Sequence, residues 1–350
     1  LKIKKGIIMT KIKVGVSGYG VIGQRLADGV ARQKDMELVG IADIAPTLSV
    51  RALKERGMPY DLYLVDGADK DKFEELDIPV SGTFEDLVNK VDIMLDSSPG
   101  GVGIANKKIY EANNTKAIFQ GGESNEVADV FFHGYANFEE GVDKDYLKLT
   151  SCNTTGVIRA VDCLDREFGI DKVALTIIRR VADPGDYHRG LTNALQMEKA
   201  PSHQAVDLMT IMPHIEATGI LVHTPVTHGH IITIVASGKE KITKEQALEA
   251  FKAHPRIRVV RIDDGFKGNA SLFRYARDLG NPRGDMYEIA VWEDSIVESG
   301  DDIMFAINIP QEAVTIPETM DAIRAATGMQ KTRADGTDAT NENLGIGKWK

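Results

Sequence analysis

The stretch GYGVIG constrains the fold of this chain more than any other segment. It follows the apolar run IKVGVS and precedes VIGQRLADGVARQ, which has helical spacing. In such a strand–loop–helix unit, Gly18 permits a tight turn, Gly20 lets the backbone approach a pyrophosphate, and Gly23 lets helix and strand pack closely. Val21 and Ile22 would supply free N–H groups at the positive end of the helix dipole. The sequence therefore predicts a dinucleotide-binding unit, and an ordinary glycine-rich turn is the alternative.

The aspartate that ends the next apolar run bears on the choice of dinucleotide. Asp43 closes LVGIA, about 20 positions after the last glycine of the loop. A carboxylate there accepts hydrogen bonds from the adenosine ribose and repels a 2′-phosphate. Its alternative role is that of a turn aspartate capping the next element. We expect NAD or NADP as cofactor, with NAD favoured by Asp43.

The pattern of apolar runs changes near the middle of the chain. Up to about residue 150, short apolar runs alternate with amphipathic stretches, which predicts a parallel sheet with crossover helices. Later runs rich in β-branched residues, separated by turns such as NPRGD and ESGDD, predict a mostly antiparallel sheet covered by helices such as KEQALEAFKAH. The predicted fold class is α/β plus α+β, with a Rossmann dinucleotide-binding domain over 9–150 and a catalytic domain over 151–315. A C-terminal helix at about 316–345 is expected to pack back on the first domain, and the polar stretch KTRADGTDATNEN to be loosely held.

Charge and cysteine usage limit the classes of function. Lys and Arg total 42 against 52 for Asp and Glu, a formal net charge of −10, which argues against broad nucleic-acid or anionic-membrane binding. No apolar run approaches the roughly 20 residues needed to span a bilayer. The two cysteines fall far short of a disulfide framework, and we see no secretory leader. We expect a cytoplasmic protein in a reducing compartment.

One of these cysteines lies in the stretch TSCNTTG. Apolar residues at helical spacing after it predict a helix that begins close to Cys152. A thiol at that position gains from the helix dipole, which would lower its pKa from about 8.5 toward about 6. Cys152 is therefore predicted to be a nucleophile, and a small packed residue is the alternative. Cys163, inside the same helix, is expected to be a buried hydrophobic residue.

Two histidines in PVTHGHIITIVAS are candidates for a base beside that thiol. His228 and His230 lie two positions apart at the start of a strand-like run, so both side chains are expected on one face. A metal site with His223 as third ligand is conceivable, but no further spacing of ligand type is found and we predict no metal. A base paired with a thiolate is the preferred interpretation, and two solvated histidines are the alternative.

Several strings, in order, carry a resemblance to a known family. They are GYGVIGQR, FQGGE, SCNTTG, IRRVADPGD, PSHQAVDLM, THGH and IPQEAVTIPETMDAIRA. From about Lys11 to about Gly328 the chain resembles the archaeal-type (type II) glyceraldehyde-3-phosphate dehydrogenases. The resemblance implies a homotetramer that oxidises glyceraldehyde 3-phosphate with NAD(P) and inorganic phosphate to 1,3-bisphosphoglycerate, through a cysteine thiohemiacetal and thioester. A different cysteine-dependent aldehyde or semialdehyde dehydrogenase, or a non-catalytic dinucleotide-binding sensor, stays open as an alternative.

The resemblance also implies roles at the reacting centre. Cys152 corresponds to the nucleophile that attacks the aldehyde, and His228 to the base that activates it and assists hydride departure. Ser151 and Asn153 flank the substrate carbonyl. The Asn153 N–H and the protonated imidazole of His228 are expected to meet the thiohemiacetal oxyanion.

Two anion sites are required, one for the substrate phosphate and one for inorganic phosphate. The resemblance places the substrate's phosphate end at His203 and Gln204, where many members carry a second histidine instead of the glutamine. The other basic and donor groups available are Arg179, Arg180, Arg189 and Thr154. Since adjacent strand residues point to opposite faces, at most one of the paired arginines enters the pocket, and we expect Arg180.

Cofactor contacts are implied as well. They fall at Val21, Ile22, Gly122, Arg180 and Gln311. Many members carry Lys or a neutral residue near Asp43, which is consistent with NADP. The aspartate here is expected to shift preference toward NAD.

Overall fold

A computed structural model describes residues 11–180 and 194–348 of the chain. The predictions for Arg189 and for residues 9–10 lie outside these ranges. The strands are β1 (Ile12–Ser17), β2 (Met36–Asp43), β3 (Leu62–Leu64), β4 (Gly82–Thr83), β5 (Ile93–Asp96), β6 (Lys116–Phe119), β7 (Val130–Phe132), β8 (Tyr146–Leu149), β9 (Ile170–Arg180), β10 (Gln196–Met197), β11 (Glu216–Thr224), β12 (His230–Gly238), β13 (Ile257–Val260), β14 (Ile289–Trp292), β15 (Val297–Ser299) and β16 (Asp302–Ile309). The helices are α1 (Val21–Ala31), α2 (Leu48–Glu55), α3 (Lys70–Glu74), α4 (Phe84–Val88), α5 (Gly103–Ala112), α6 (Cys152–Phe168), α7 (His203–Ile211), α8 (Lys244–Ala253), α9 (Asn269–Asp278), α10 (Ile316–Ala326) and α11 (Arg333–Leu344).

The first eight strands form one parallel sheet. Their order is β4-β3-β2-β1-β5-β6-β8-β7, and each neighbouring pair is parallel. The order reverses between β1 and β5, and ligands of such sheets bind at the carboxyl ends of the strands at this reversal. The predicted Rossmann fold is confirmed, and its crevice lies directly beyond the glycine loop that follows β1.

The second sheet is mixed. Its order is β10-β11-β9-β12-β16-β14-β13, with β15 on β16. Strands β9 and β11 are parallel, as are β13 and β14, whereas β12 pairs antiparallel with both β9 and β16. Val157, Val161 and Leu164 of α6 pack in a core with this sheet, at the helical spacing that the sequence shows. The predicted class of a second sheet covered by helices is confirmed, with two parallel pairs in it.

The C-terminal helices pack against the first sheet. Ile316, Met320 and Ile323 of α10 share a core with Leu26 and Val30 of α1. The amphipathic spacing of α10 explains this contact, because one stripe of the helix is apolar.

The polar stretch expected to be loosely held is helix α11, so that expectation is wrong. Thr340 and Asn341 are buried there. Arg324 donates to Thr340 Oγ1 at 2.9 Å, and Arg256 donates through Nε to Asn341 Oδ1 at 2.8 Å. Buried arginines, rather than an apolar stripe, hold this helix, so apolar periodicity carries no signal of it.

A fully buried charge cluster joins α6 to α10. Arg159 of α6 donates to Glu318 Oε1 at 2.6 Å, and Arg256 pairs with both Glu318 and Asp321. All four side chains are 0% exposed. Because α6 begins at Cys152, this cluster fixes the thiol's helix against the helix that packs on the dinucleotide-binding sheet.

Across 11–180 and 194–348, every helix is too short or too polar to cross a lipid bilayer.

Candidate active site

The glycine loop has the geometry expected of a pyrophosphate cradle. Gly18 adopts φ +82°, which a residue with a Cβ rarely tolerates. A Cβ on Gly23 would lie 1.8 Å from the Gly18 carbonyl oxygen, whereas a Cβ on Gly20 would meet nothing within 4 Å. Helix α1 has no side-chain cap and no acidic residue in its first turn, so the N–H groups at Val21 and Ile22 remain for a ligand. These residues therefore fit the pyrophosphate of a dinucleotide.

Asp43 lies beside this loop at the end of β2. One carboxylate oxygen accepts the N–H of Tyr19 at 2.8 Å, and the other accepts those of Ile44 and Ala45 at 2.8 and 3.2 Å. The side chain thus orders the loop and caps the following turn. A carboxylate offers about four acceptor positions, which leaves room for one further donor such as a ribose hydroxyl.

Cys152 is the first residue of α6. Ser151 caps the helix with φ −62° and ψ 162°, and its Oγ accepts the N–H of Thr154 at 3.4 Å. Burial raises the pKa of the Cys152 thiol, and nearby Arg180 and the Asn153 N–H offset this only in part. The expected lowering of this pKa is wrong in direction, because desolvation by distant parts of the chain outweighs the local favourable groups.

The imidazole that faces the thiol belongs to His230. Its Nε2 lies 3.6 Å from Cys152 Sγ. His228 is exposed; its ring stands edge-on to Phe273, with centroids 4.6 Å apart. The expectation that His228 pairs with Cys152 is corrected to His230. The reason is local, since Gly229 takes φ +70° and β12 starts only at His230, so the alternation of a strand does not extend back to His228.

Arg180 contacts the imidazole of His230 through its backbone and Glu312 through its side chain. Its backbone N–H donates to His230 Nδ1 at 3.1 Å, and its guanidinium donates to Glu312 Oε1 at 2.6 Å. The Arg180 and Glu312 side chains are only 8% and 7% exposed. Arg179 is more open, with its guanidinium 3.6 Å from Glu198. The arginine buried beside the thiol is thus the one that the sequence favoured.

The residues expected at the substrate's phosphate end cluster around the start of α7. His203 is exposed there, whereas Gln204 is fully buried, with its amide nitrogen 2.8 Å from His203 Nε2. Thr154 is also fully buried and donates to Asp207 Oδ2 at 3.1 Å. Its hydroxyl hydrogen is therefore used within the protein, and Gln204 supports the His203 ring. Of these three residues, only His203 is exposed, and the burial of the other two by distant elements leaves no trace in local spacing.

The remaining predicted cofactor contacts lie at the edges of this region. Gly122 follows β6, and its carbonyl oxygen would be 2.7 Å from a Cβ placed on Gly100. Gln311 adopts φ +55° and donates to the Thr227 carbonyl oxygen. A cavity of about 260 Å³ opens between α1 and α9, lined in part by Val21, His228, Phe273, Asn308 and Gln311.

Two site residues were missed by sequence reasoning. Glu312 directly follows Gln311, but only the fold brings it to Arg180. Lys148 of β8 is 5% exposed, its charge acts on His203 and Asp207, and its Nζ lies 2.8 Å from Asn125 Oδ1. The lysine stands between two leucines in YLKL, and this alternation alone indicates a solvent-facing side chain.

No group of three or more potential metal ligands occurs among the residues that the structure describes.

A glycine loop that fits a dinucleotide, together with a thiol at a helix N-terminus that is faced by an imidazole, is typical of a cysteine-dependent oxidoreductase of the nicotinamide class. Comparison with known proteins narrows this class. Residues 151–295 match the C-terminal domain of glyceraldehyde 3-phosphate dehydrogenase. The glyceraldehyde-3-phosphate dehydrogenase of Pyrococcus furiosus is 40% identical over 338 residues, covering 96% of this chain and 99% of that protein. Those of Archaeoglobus fulgidus and Methanoregula boonei are 38% and 37% identical, covering 97% and 95% of this chain and 99% and 97% of each relative. The chain belongs to the archaeal glyceraldehyde-3-phosphate dehydrogenase family.

Proposed function

We propose that this protein is a phosphorylating glyceraldehyde-3-phosphate dehydrogenase that uses NAD in preference to NADP. It oxidises glyceraldehyde 3-phosphate, with inorganic phosphate as co-substrate, to 1,3-bisphosphoglycerate. The observation that carries the proposal is the 3.6 Å contact between Cys152 Sγ and His230 Nε2, in a chain whose glycine loop fits a dinucleotide.

The thiol supplies the covalent chemistry. The thiol proton passes to His230 Nε2, 3.6 Å away, as the sulfur adds to the aldehyde carbon and the carbonyl oxygen takes up negative charge. The Asn153 N–H and His230 Nε2 lie beside the sulfur, where donors can stabilise that oxygen. A nicotinamide dinucleotide held at the glycine loop would supply the acceptor for the hydride of that carbon. An oxygen of inorganic phosphate then attacks the thioester carbon, the C–S bond breaks, and the acyl phosphate leaves.

Cationic and hydrogen-bond-donating groups for two phosphates lie near the thiol, with Arg180 and Arg179 close enough for their charge to act on the sulfur. His203 stands at the N-terminus of α7, and Arg179 is partly open. Arg180 contributes charge beside the sulfur while its guanidinium pairs with Glu312. We assign the substrate phosphate to His203 and the helix end, and inorganic phosphate to the side nearer Arg179.

Initial-rate measurements test the activity. With glyceraldehyde 3-phosphate and NAD, we expect reduction of NAD beyond one turnover only when inorganic phosphate is present, together with an acyl phosphate product. A Cys152→Ser variant should have no activity under the same conditions, and a Cys163→Ser variant should keep it. Sustained phosphate-independent formation of the free acid would overturn the proposal.

Cofactor preference rests on Asp43. The carboxylate beside the loop repels a 2′-phosphate, so Asp43→Asn should raise kcat/KM for NADP relative to NAD while keeping an acceptor for the Tyr19 N–H. Asp43→Lys should shift the ratio further, but at the cost of the loop contact. An unchanged ratio in both variants would show that Asp43 does not read the ribose.

We also propose that the protein is a cytoplasmic homotetramer. The outer face of the second sheet exposes apolar side chains, among them Ile178, Ile220 and Met304 at 37%, 44% and 40%. Such a patch is suited to a self-complementary contact. Light scattering after size-exclusion chromatography should give four chains for the parent and fewer for Ile220→Glu. A monomeric parent would contradict this assignment.

A further inference from the structure

The cavity between α1 and α9 has mostly apolar walls. Leu272 and Phe273 of α9 line it together with Met286, Pro310 and Val21, and its volume is about 260 Å³. An engineered apolar cavity of about 150 Å³ takes up benzene. The cavity between α1 and α9 is therefore large enough for a planar molecule of two fused rings.

The charged side chains that line this cavity are paired within the protein. Arg25 contacts Asp285 at 2.8 Å, and Arg283 contacts the same carboxylate at 3.2 Å. Glu312 accepts from the buried arginine beside the thiol at 2.6 Å. His228, the remaining titratable group in the lining, has Nδ1 3.0 Å from the hydroxyl of the preceding threonine. The formal charges of the two arginines and two carboxylates cancel, so the cavity suits a neutral molecule rather than a phosphate or a carboxylate.

Asn308 of β16 differs from the other amide side chains in the lining. Gln24, Asn269 and Gln311 each make a side-chain hydrogen bond. Asn308 is 2% exposed, and its Oδ1 is buried with no hydrogen-bond partner among the described residues. An unpaired buried amide oxygen is costly, so a donor from outside the chain would stabilise this position.

The alternation of β16 explains why this amide faces the cavity. Ile307 and Ile309 point into the core of the second sheet that contains α6, whereas Ala306 packs on the opposite face, against the cluster that includes α9. Asn308 shares the face of Ala306. A Cβ on Gly229 would lie 3.2 Å from Asn308 Oδ1, so the glycine leaves the oxygen uncovered on that side.

We propose that the cavity between α1 and α9 binds a neutral, planar heteroaromatic molecule of nucleobase size, whose edge presents a donor beside an acceptor to the Asn308 amide. The amide itself offers an acceptor oxygen beside a donor nitrogen. Asparagine pairs in this bidentate manner with N6 and N7 of adenine. Phe273 supplies an aromatic ring for stacking. Adenine, as the free base or within adenosine, has the chemistry that fits these walls.

The cavity is distinct from the reacting centre and adjoins the proposed cofactor contacts. Neither Cys152 nor His230 lines it, whereas Val21 and Gln311 do. Val21 lies on the same face of α1 as the lining residues three and four positions later, and the neighbouring Ile22 does not line the cavity. We therefore expect the base and NAD to bind together. The site is additional to the proposed dehydrogenase activity, and its occupancy is measured by binding alone.

Isothermal titration calorimetry of the full chain, with and without saturating NAD, tests the site. Saturating NAD fills the adenine position of the cofactor itself, so any adenine or adenosine that still binds occupies another site. We expect such binding, and we expect purine, which has the same rings without the amino group, to bind at least roughly tenfold more weakly than adenine. Loss of adenine and adenosine binding at saturating NAD, or equal affinities for adenine and purine, would overturn the proposal.

Two variants locate the binding within the cavity. Asn308→Leu keeps the size of the side chain and removes the amide, so adenine affinity should fall at least roughly tenfold. The unfolding midpoint of this variant without ligand should stay equal or rise, because an unpaired buried amide is removed. Phe273→Leu keeps the wall apolar and should weaken adenine and purine by the same factor. Adenine that binds Asn308→Leu as tightly as the parent would overturn the proposal, and the comparison of adenine with purine decides the same question on the unaltered chain.

Discussion

The buried cluster behind the thiol's helix allows a quantitative prediction. Glu318 of α10 accepts from Arg159 of α6 at 2.6 Å and also pairs with Arg256. Burial alone would raise the pKa of this carboxyl, but Arg256 and Arg159 hold it below its ordinary value. The perturbation is Glu318→Ala, which removes the only carboxylate on Arg159 among the described contacts.

The expected loss of unfolding free energy follows from the partners that each arginine retains in the Glu318→Ala variant. Arg256 retains Asp321 at 2.6 Å, so its charge stays compensated. Among the described contacts, Arg159 retains only carbonyl oxygens, those of Tyr287 at 2.8 Å, Val314 at 3.1 Å and Arg256 at 3.4 Å, and it is 0% exposed. Removing one partner of a buried pair costs about 3–5 kcal/mol. Since only one of two arginines is left without its carboxylate, we expect a loss of about 3 kcal/mol.

Urea unfolding followed by far-ultraviolet circular dichroism measures this loss. The change should appear as a lower midpoint of the first cooperative transition at an unchanged slope. The matched control is Glu342→Ala, which breaks the exposed pair of Lys34 and Glu342, with side chains 75% and 68% exposed. The control should hardly move the midpoint. A Glu318→Ala protein as stable as the control would show that this cluster does not hold α6 against α10.

Three further outcomes follow from the described contacts. Gly23→Ala should abolish NAD binding and lower stability, because its Cβ would lie 1.8 Å from the carbonyl oxygen of the first loop glycine. Gly20→Ala should fold normally and only weaken NAD binding, because its Cβ would have no atom within 4 Å. Fluorescence titrations with NAD measure both effects. Burial lowers the pKa of His133 to about 3, and the charge of a neighbouring arginine adds to this effect. Below about pH 6.5 the unfolded chain therefore binds a proton on this residue that the folded chain does not bind. We expect this difference to lower the free energy of unfolding by about 2 kcal/mol between pH 6.5 and pH 5. His133→Gln should remove that part of the acid slope, and an unchanged slope would argue against a neutral buried ring. Because burial raises the thiol pKa of Cys152, alkylation by iodoacetamide should accelerate steadily from neutral to alkaline pH without levelling off near pH 7, and Cys163, 7% exposed, should stay unmodified.

The dinucleotide half of the fold is readable from sequence because its signals are local. The run IKVGVS is β1, MELVGIAD is β2, and the glycine spacing fixes the turn between β1 and α1. Each of these features depends on residues within one βαβ unit, where alternation, helical spacing and glycine conformation all agree. Helix α11 was not predicted, because it is held by hydrogen bonds to arginines that precede it in the sequence.

The sequence predicts which residue types form the candidate site, but not which of these residues contact each other. Cys152 at the start of α6 follows from capping and spacing, yet the direction of its pKa shift depends on burial by other segments. The positive φ of Gly229 decides that His230 rather than His228 faces the thiol, and a two-residue spacing in the sequence does not reveal this φ. Glu312 reaches Arg180 across 132 positions, and no local pattern reports such a contact.

The covalent intermediate on Cys152 can be trapped and measured directly. The enzyme is mixed with glyceraldehyde 3-phosphate and NAD without inorganic phosphate, quenched in acid and analysed by peptide mass spectrometry. We predict a 3-phosphoglyceroyl adduct on the peptide that carries Cys152, with none on that of Cys163, and its disappearance when inorganic phosphate is added before the quench. Turnover without any adduct on Cys152, or an adduct that inorganic phosphate does not release, would show that the reaction does not pass through a Cys152 thioester.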